Sequence, residues 1–259
     1  MLLAVDVGNT HITLGVYEGD NLIANWRIAT DRQKSADEIG ILLFNLFNIN
    51  NIDPKNIKDV IISSVVPTIM YSLTHAVRKY FNMDAIVVDA STVKSKLKIN
   101  YDNPKEVGAD RIVNAIGAIE YYPTPLAIVD FGTATTFCVV NENNEYLGGN
   151  ILPGIKISMA ALFEKTAKLP RVEIQKPKSV IGTNTIDSMQ AGVYYGYVGS
   201  VEYMIAKIKE HLKRDDVTVV ATGGLARLIS NDAKGINHID SMLTLKGLNV
   251  IYKTIKEGN

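Results

Sequence analysis

The strongest constraint on this fold is a pattern that occurs twice. Residues 2–16 read LLAVDVGNTHITLGV, and residues 126–140 read LAIVDFGTATTFCVV. Each is an apolar, β-rich run, then an aspartate and a glycine in a short polar turn, then a second β-rich run. A single offset of 124 (130 − 6) aligns Asp6 with Asp130, Gly8 with Gly132 and Val16 with Val140. It also carries the turn Glu18–Asn21 onto Glu142–Glu145, and Leu22-Ile23 onto Tyr146-Leu147, without a gap. A match of this kind predicts an internal duplication; two similar hairpins are the plainer alternative.

The rest of the chain follows from periodicity. The N-terminal part reads strand, strand, strand, helix, strand, helix, strand. Helix spacing at Ile39, Leu42, Leu43, Leu46 and Phe47 follows a capping box of Ser35 with Glu38. VIISSVV is an apolar strand ended by Pro67, and IMYSLTHAVRKYF is an amphipathic helix. The C-terminal part repeats the programme with LAIVDF, TTFCVV and EYLGGNI. Helices are expected at about Lys156–Thr166 and Asp187–Leu212, then a strand VTVVAT, a helix starting at Gly223-Gly224, and a last helix in TLKGLNVIYKTIKE. The fold class is α/β: two duplicated domains, residues 1–115 and 116–259, with a nucleotide cleft between them.

An aspartate at a strand end beside a glycine leaves a carboxylate at the lip of a sheet, where backbone N–H groups can approach an oxyanion. Asn9, Thr10 and Thr13 in the first turn, and Thr133, Thr135 and Thr136 in the second, add hydroxyl and amide groups. That inventory suits phosphate oxygens and a hard cation bridging them, which is what phosphoryl transfer requires. There is no G-x-x-x-x-G-K-[ST] and no G-x-G-x-x-G, so neither a P-loop nor a Rossmann site is indicated. His11, His75, His211 and His238 are scattered without ligand spacing. In VVATGGLA, the Thr222-Gly223-Gly224 turn can lie against a nucleoside or simply pack a strand on a helix. In NYDNPKEVGADRIVNAIGA, Asp110-Arg111 stand where a helix begins. They read either as a cap and a surface charge, or as a base for a hydroxyl and a clamp for an acidic group.

Bulk properties exclude several classes. Hydrophobic residues make up 47% and charged residues 21%, a globular balance. The 27 basic and 27 acidic residues cancel, so neither a nucleic-acid nor an anionic-membrane surface is expected. Lys94, Lys96 and Lys98 read as a solvated face. Cys138, the single cysteine, sits in an apolar run and reads as core. No signal peptide or membrane span is expected, and cytoplasm is the default location.

The ordered set DVGNT (6–10), GADR (108–111), DFGTATT (130–136) and ATGGLA (221–226) resembles type III pantothenate kinase. ISSVVP (62–67), LPGIKISMAAL (152–162) and GTNTIDSMQAGVYYG (182–196) agree with it. The resemblance implies the fold shared by actin, sugar kinases and Hsp70, and ATP-dependent phosphorylation of pantothenate, the first step of coenzyme A synthesis. It implies Mg²⁺ with ATP, and a monovalent cation, K⁺ or NH₄⁺. It places ATP on Asp6, Val7, Gly8, Asn9, Thr10, His11, Ile12, Thr13, Thr133, Gly223 and Gly224, with Asp6 near Mg²⁺. Asp130 would bind the monovalent cation. Tyr101, Gly108, Ala109, Asp110, Arg111 and Thr185 would line the pantothenate site, with Asp110 as base and Arg111 on the carboxylate. It implies a homodimer; Gly192, Gly196 and Gly199 offer a small-residue helix face for close packing, either across that dimer or within the subunit. Another kinase or phosphatase of the same superfamily, or a nucleotide-switched interaction protein, are the competing readings; the GADR loop argues against both.

Overall fold

The computed structural model describes residues 1–258. The chain forms two compact units, residues 1–120 with 243–259, and residues 121–242.

In the first unit, β1 (Leu2–Val7), β2 (His11–Glu18) and β3 (Asn21–Ala29) form an antiparallel meander. Then α1 (Ala36–Ile49) leads to β4 (Asp59–Ser64), which pairs parallel with β1, and α2 (Pro67–Phe81) leads to β5 (Ile86–Val87), parallel with β4. The strand order is β3-β2-β1-β4-β5. Antiparallel pairs need only tight turns, whereas the parallel pairs need helical crossovers, and α1 and α2 supply them. Both helices press Leu43, Phe47, Leu73 and Val77 onto Val5, Val7 and Ile62 of the sheet. A short β6 (Lys98–Ile99) and a 3₁₀ turn at Pro104–Glu106 precede α3 (Ala109–Tyr121), whose residues Arg111–Ala118 are all buried.

The second unit repeats this plan. Strands β7 (Leu126–Phe131), β8 (Ala134–Val140) and β9 (Glu145–Pro153) form the meander. Helices α4 (Ile155–Lys165) and α5 (Thr185–Leu212) lead to β10 (Thr218–Thr222), parallel with β7. Helix α6 (Ala226–Ser230) then leads to β11 (His238–Ile239), parallel with β10. The order β9-β8-β7-β10-β11 matches that of the first unit strand for strand. The expected helix at Gly223-Gly224 begins later, at Ala226, because Gly223 has a φ of +92° that no right-handed helix accepts.

The pairing corrects the ungapped alignment. Leu2 pairs with Tyr17, but Leu126 pairs with Val140, so Val140 corresponds to Tyr17 and not to Val16. The turn after Asp130 is one residue shorter than the turn after Asp6, and the Asn141–Glu145 turn is one residue longer than Glu18–Asn21. The two changes cancel, which hid them in the sequence. Each third strand also carries one extra residue at the same place, Ile23 opposite Val16–Tyr17 and Leu147 opposite Val139–Val140. A shared bulge argues for the duplication independently of residue identity.

The units are not the continuous halves 1–115 and 116–259. The C-terminal helix α7 (Leu243–Glu257) belongs with the first unit. Thr244 Oγ1 donates to Asn114 Oδ1 of α3 at 2.7 Å, Asn249 Nδ2 to Gly19 O at 3.1 Å, and Tyr252 Oη to Asp59 at 2.7 Å. An amphipathic helix states only that it has a face to bury, not which sheet will cover it. Cys138 is buried, as its apolar run predicts, with the Tyr146 hydroxyl 3.7 Å from Sγ. Among the described residues, no helix is long and apolar enough to cross a membrane.

Candidate active site

In the first unit the polar turn sits where β1 ends. Gly8 N–H donates to His11 O at 3.0 Å, closing the hairpin, and Thr30 Oγ1 donates to Gly8 O at 2.6 Å. Asn9 and Thr10 are exposed at the tip. Two arginines brace it. A guanidinium N–H of Arg27 donates to His11 Nδ1 at 3.0 Å, which assigns the ring proton to Nε2, and Arg32 donates to Asn9 Oδ1 at 3.2 Å. Asp6 is half-buried, opposite Thr13 on β2 and Ser63 on β4. Val7 and Ile12 are core residues that position the turn through backbone alone.

The Asp110 loop belongs to the same unit. Arg111 N–H donates both to Gly108 O at 3.0 Å and to Asp110 Oδ1 at 2.7 Å, so the carboxylate folds back over the first turn of α3. Gly108 permits this: a Cβ there would lie 2.6 Å from Asp110 Oδ1. Burial pushes the Asp110 carboxyl above its ordinary value, against the opposing pull of Arg111. Arg111 is only 9% exposed. A buried guanidinium favours an anionic companion, since an unpaired charge is costly to desolvate. Gly108 and Ala109 border a cavity of about 1450 Å³ that reaches Val88, Lys94 and Lys98. Those lysines are exposed, as a solvated face should be, but two of the three edge this cavity. Tyr101 is exposed on the loop leading into the 3₁₀ turn.

In the second unit Asp130 pairs with Thr136 on β8 and Thr222 on β10. Gly223 packs directly against it. A Cβ there would fall 2.5 Å from Asp130 Oδ1 and 2.7 Å from Phe131 N. Thr133 is exposed at the turn tip. Thr135, counted with the ligand-facing hydroxyls in the sequence, is not one of them: it is 1% exposed and its hydroxyl meets that of Tyr197. Thr135 shares the core-facing side of β8 with Phe137 and Val139, whereas Thr133 lies in the turn before the strand begins at Ala134. Gly154, which the sequence did not single out, abuts this turn, and a Cβ on it would collide with Thr133 O. Its only sequence signal was the Pro153-Gly154 pair ending a strand. Thr185 opens α5 beside the capping Asn184, whose Oδ1 accepts from Asp187 N at 2.9 Å, and lines a separate cavity of about 520 Å³.

Among the described residues, no group of three or more His, Cys, Asp or Glu is placed to hold a metal ion. A divalent ion carried in by a nucleotide is commonly held by one or two carboxylates together with substrate phosphates and water. The single carboxylates Asp6 and Asp130, each at a strand end beside a polar turn, suit such a guest.

Comparison with solved structures shows the fold. The chain aligns with a Campylobacter jejuni protein provisionally assigned to the Baf family of transcriptional activators at TM-score 0.61 and 17% identity, covering 98% of this chain and 99% of that one. It aligns with component A of the Acidaminococcus fermentans (R)-2-hydroxyglutaryl-CoA dehydratase at 0.58 and 13%, covering 98% of each. A Sinorhizobium meliloti protein provisionally assigned as a 2-dehydro-3-deoxygalactonokinase gives 0.60 and 13%, covering 98% and 97%. These likenesses show that the chain has the two-unit α/β fold of these proteins. A family model, described as type III pantothenate kinase, matches residues 2–207, a span that contains the Asp6 turn, the Asp110 loop, the Asp130 turn and Thr185. The chain belongs to the type III pantothenate kinases, enzymes that phosphorylate pantothenate in coenzyme A biosynthesis, with ATP and a divalent metal ion as the family implies.

Proposed function

We propose that Asp110 is the general base that takes the proton from the pantothenate hydroxyl, and that Arg111 receives the pantothenate carboxylate. The observation that carries this reading is the pairing at the start of α3. One carboxylate is raised by burial, and the next residue is a buried guanidinium. A base close to neutrality transfers protons best, and a partly desolvated carboxylate moves in that direction. Tyr101, Gly108 and Ala109 complete the substrate's surroundings on this unit, and Thr185 is the residue of the second unit assigned to the substrate.

The Asp6–Thr13 turn binds the ATP phosphates through backbone N–H groups and the side chains of Asn9 and Thr10. Thr133 adds a contact, and Gly223 with Gly224 lies along the nucleoside. Asp6 is the carboxylate nearest Mg²⁺, and Asp130 holds K⁺ or NH₄⁺. Bound Mg²⁺ supplies charge neutralisation on the phosphates; the protein's part is to orient donor and acceptor and to remove the hydroxyl proton. The enzyme works in the cytoplasm as a homodimer through the outer face of α5. Beta carbons added at Gly192, Gly196 and Gly199 would meet no atom within 4 Å, and Tyr203 is exposed on the same face.

The test is ADP formation by purified protein with ATP and Mg²⁺. It should require pantothenate and K⁺, and fall when Na⁺ replaces K⁺. ADP release at the same rate without pantothenate would overturn the substrate assignment. Indifference to the K⁺-for-Na⁺ exchange would remove Asp130 from its role. Sedimentation of the protein at a single subunit's mass would remove the dimer.

A further inference from the structure

Each of the two strand-end aspartates lies in a row of paired residues. Across the first sheet the row at Asp6 runs Arg27, Thr13, Asp6, Ser63 over β3, β2, β1 and β4. Across the second it runs Thr136, Asp130, Thr222 over β8, β7 and β10. Residues paired in register point to the same face of a sheet, with strands about 4.8 Å apart. Both aspartates are therefore flanked on both sides by hydroxyl residues sharing their face. In the first unit this is the face opposite Val5, Val7 and Ile62, which pack beneath α1 and α2.

Ser63 is unusual within this arrangement. It is 0% exposed, and its Oγ has no hydrogen-bond partner. A buried hydroxyl without a partner destabilises the fold, and alanine of nearly the same shape would avoid that cost. Its neighbour Ser64, by contrast, has its Oγ engaged with Val66 N at 3.1 Å at the start of α2. A local turn into α2 therefore explains Ser64 and does not explain Ser63. The corresponding place in the second unit holds Thr222, 2% exposed, so a hydroxyl stands beside the aspartate in both halves despite different surroundings.

We propose that Ser63 is a positioning residue for Asp6: when a metal–nucleotide complex binds, its hydroxyl donates to the Asp6 carboxylate and holds it in the orientation that receives the metal. The inference rests on the assignment of Asp6 to Mg²⁺. A serine hydroxyl on the adjacent strand reaches a neighbouring carboxylate without backbone movement. Fixing one carboxylate oxygen by hydrogen bonding leaves the other for the cation, the usual way outer partners tune a ligand.

The test uses Ser63→Ala, Ser63→Thr and Asp6→Asn in the full-length protein. Two quantities are read: thermal melting without nucleotide, and calorimetric binding of the β,γ-imido analogue of ATP at graded Mg²⁺. For Ser63→Ala the expected result is a melting temperature at or above wild type, because an unpartnered buried hydroxyl has been removed. The Mg²⁺ concentration giving half-maximal analogue binding should rise about tenfold. Ser63→Thr, which places in the first unit the residue found at Thr222, should restore the wild-type half-point. An unchanged half-point in Ser63→Ala overturns the proposal, whether or not melting changes. If Asp6→Asn itself binds the analogue with wild-type Mg²⁺ dependence, the assignment of Asp6 has failed. If Asp6→Asn is impaired and Ser63→Ala is not, only the role of Ser63 has failed.

Discussion

The Asp6 turn and the Asp130 turn stand at the same point of two sheets with the same strand order, yet they are finished by different chemistry. The first is open and braced by polar side chains: Arg27 on His11, Arg32 on Asn9, and Thr30 on Gly8. The second is one residue shorter and is packed by backbone, with Gly223 and Gly154 pressed against Asp130 and Thr133. The helix that follows each meander reflects the same difference. Helix α1 carries a complete capping box from Ser35 and Glu38, whereas α4 starts on Gly154 with no side-chain cap. A serine at 154 would cap the helix but would drive its Cβ into the Thr133 carbonyl. The duplicated turn thus gave up a helix cap for close backbone approach. The loop at Gly108–Arg111 proposed to take the substrate has no counterpart in the repeat, so the duplication accounts for the two turns proposed to bind phosphate and not for the acceptor site.

The comparison can be broken first at its unrepeated element. Asp110→Asn should lower kcat for ADP formation with pantothenate by about 10³-fold while leaving ATP binding intact, the range expected for loss of a general base. The base acts deprotonated and its pKa is raised, so the acid limb of the wild-type kcat/KM profile should lie above 3.8, the ordinary aspartate value, and vanish in the variant. A carboxyl with a raised folded-state pKa favours the fold when protonated and costs stability once pH exceeds that pKa. Asp110→Asn should therefore melt no lower than wild type near neutral pH. A clear loss of melting temperature would assign Asp110 a structural role instead.

The backbone-packed turn should be the less tolerant of side-chain bulk. Gly223→Ala combines a positive φ with a 2.5 Å approach to Asp130 and should cost about 3 kcal/mol in denaturant unfolding. Gly154→Ser should also destabilise, even though it adds a capping residue. A stabilised Gly154→Ser would show that the approach to Thr133 is relaxed in solution. Next in size, Asp130→Asn should raise the K⁺ concentration for half-maximal activity about tenfold and leave the Mg²⁺ requirement unchanged. The reverse pattern would exchange the assignments of the two aspartates. The smallest effect belongs to the polar side of the comparison: Ser35→Ala should cost about 1 kcal/mol of stability, as loss of an N-cap does, with no change in kcat.

Much of this was legible in the residues. The strand-turn-strand repeat, the capping box at Ser35 and the helix patterns around Leu43 and Tyr194 all follow from local periodicity and turn chemistry, which act over a few residues. The four motifs of the site were legible for a similar reason, since Asp-Gly turns and a Gly-Ala-Asp-Arg loop carry their chemistry in consecutive positions. What was not legible depended on pairing between distant segments. The register that moved Val140 from Val16 to Tyr17 is set by hydrogen bonds between strands. The burial of Thr135 follows from which face of β8 meets α5. Gly154 and Ser63 lie inside quoted motifs, but their particular parts were not legible there, because what distinguishes them is a neighbour far away in sequence.

By itself the sequence determined the α/β class, the duplication, the order of elements and the ordered motifs that carry the family. All of these are fixed by short-range stereochemistry or by side-chain type. Only the tertiary structure decided that α7 completes the first unit, that Asp110 folds back over Gly108, and that Ser63 stands beside Asp6 with its hydroxyl buried. Each of those is an outcome of competition for buried surface among segments far apart in the chain, which no local pattern encodes.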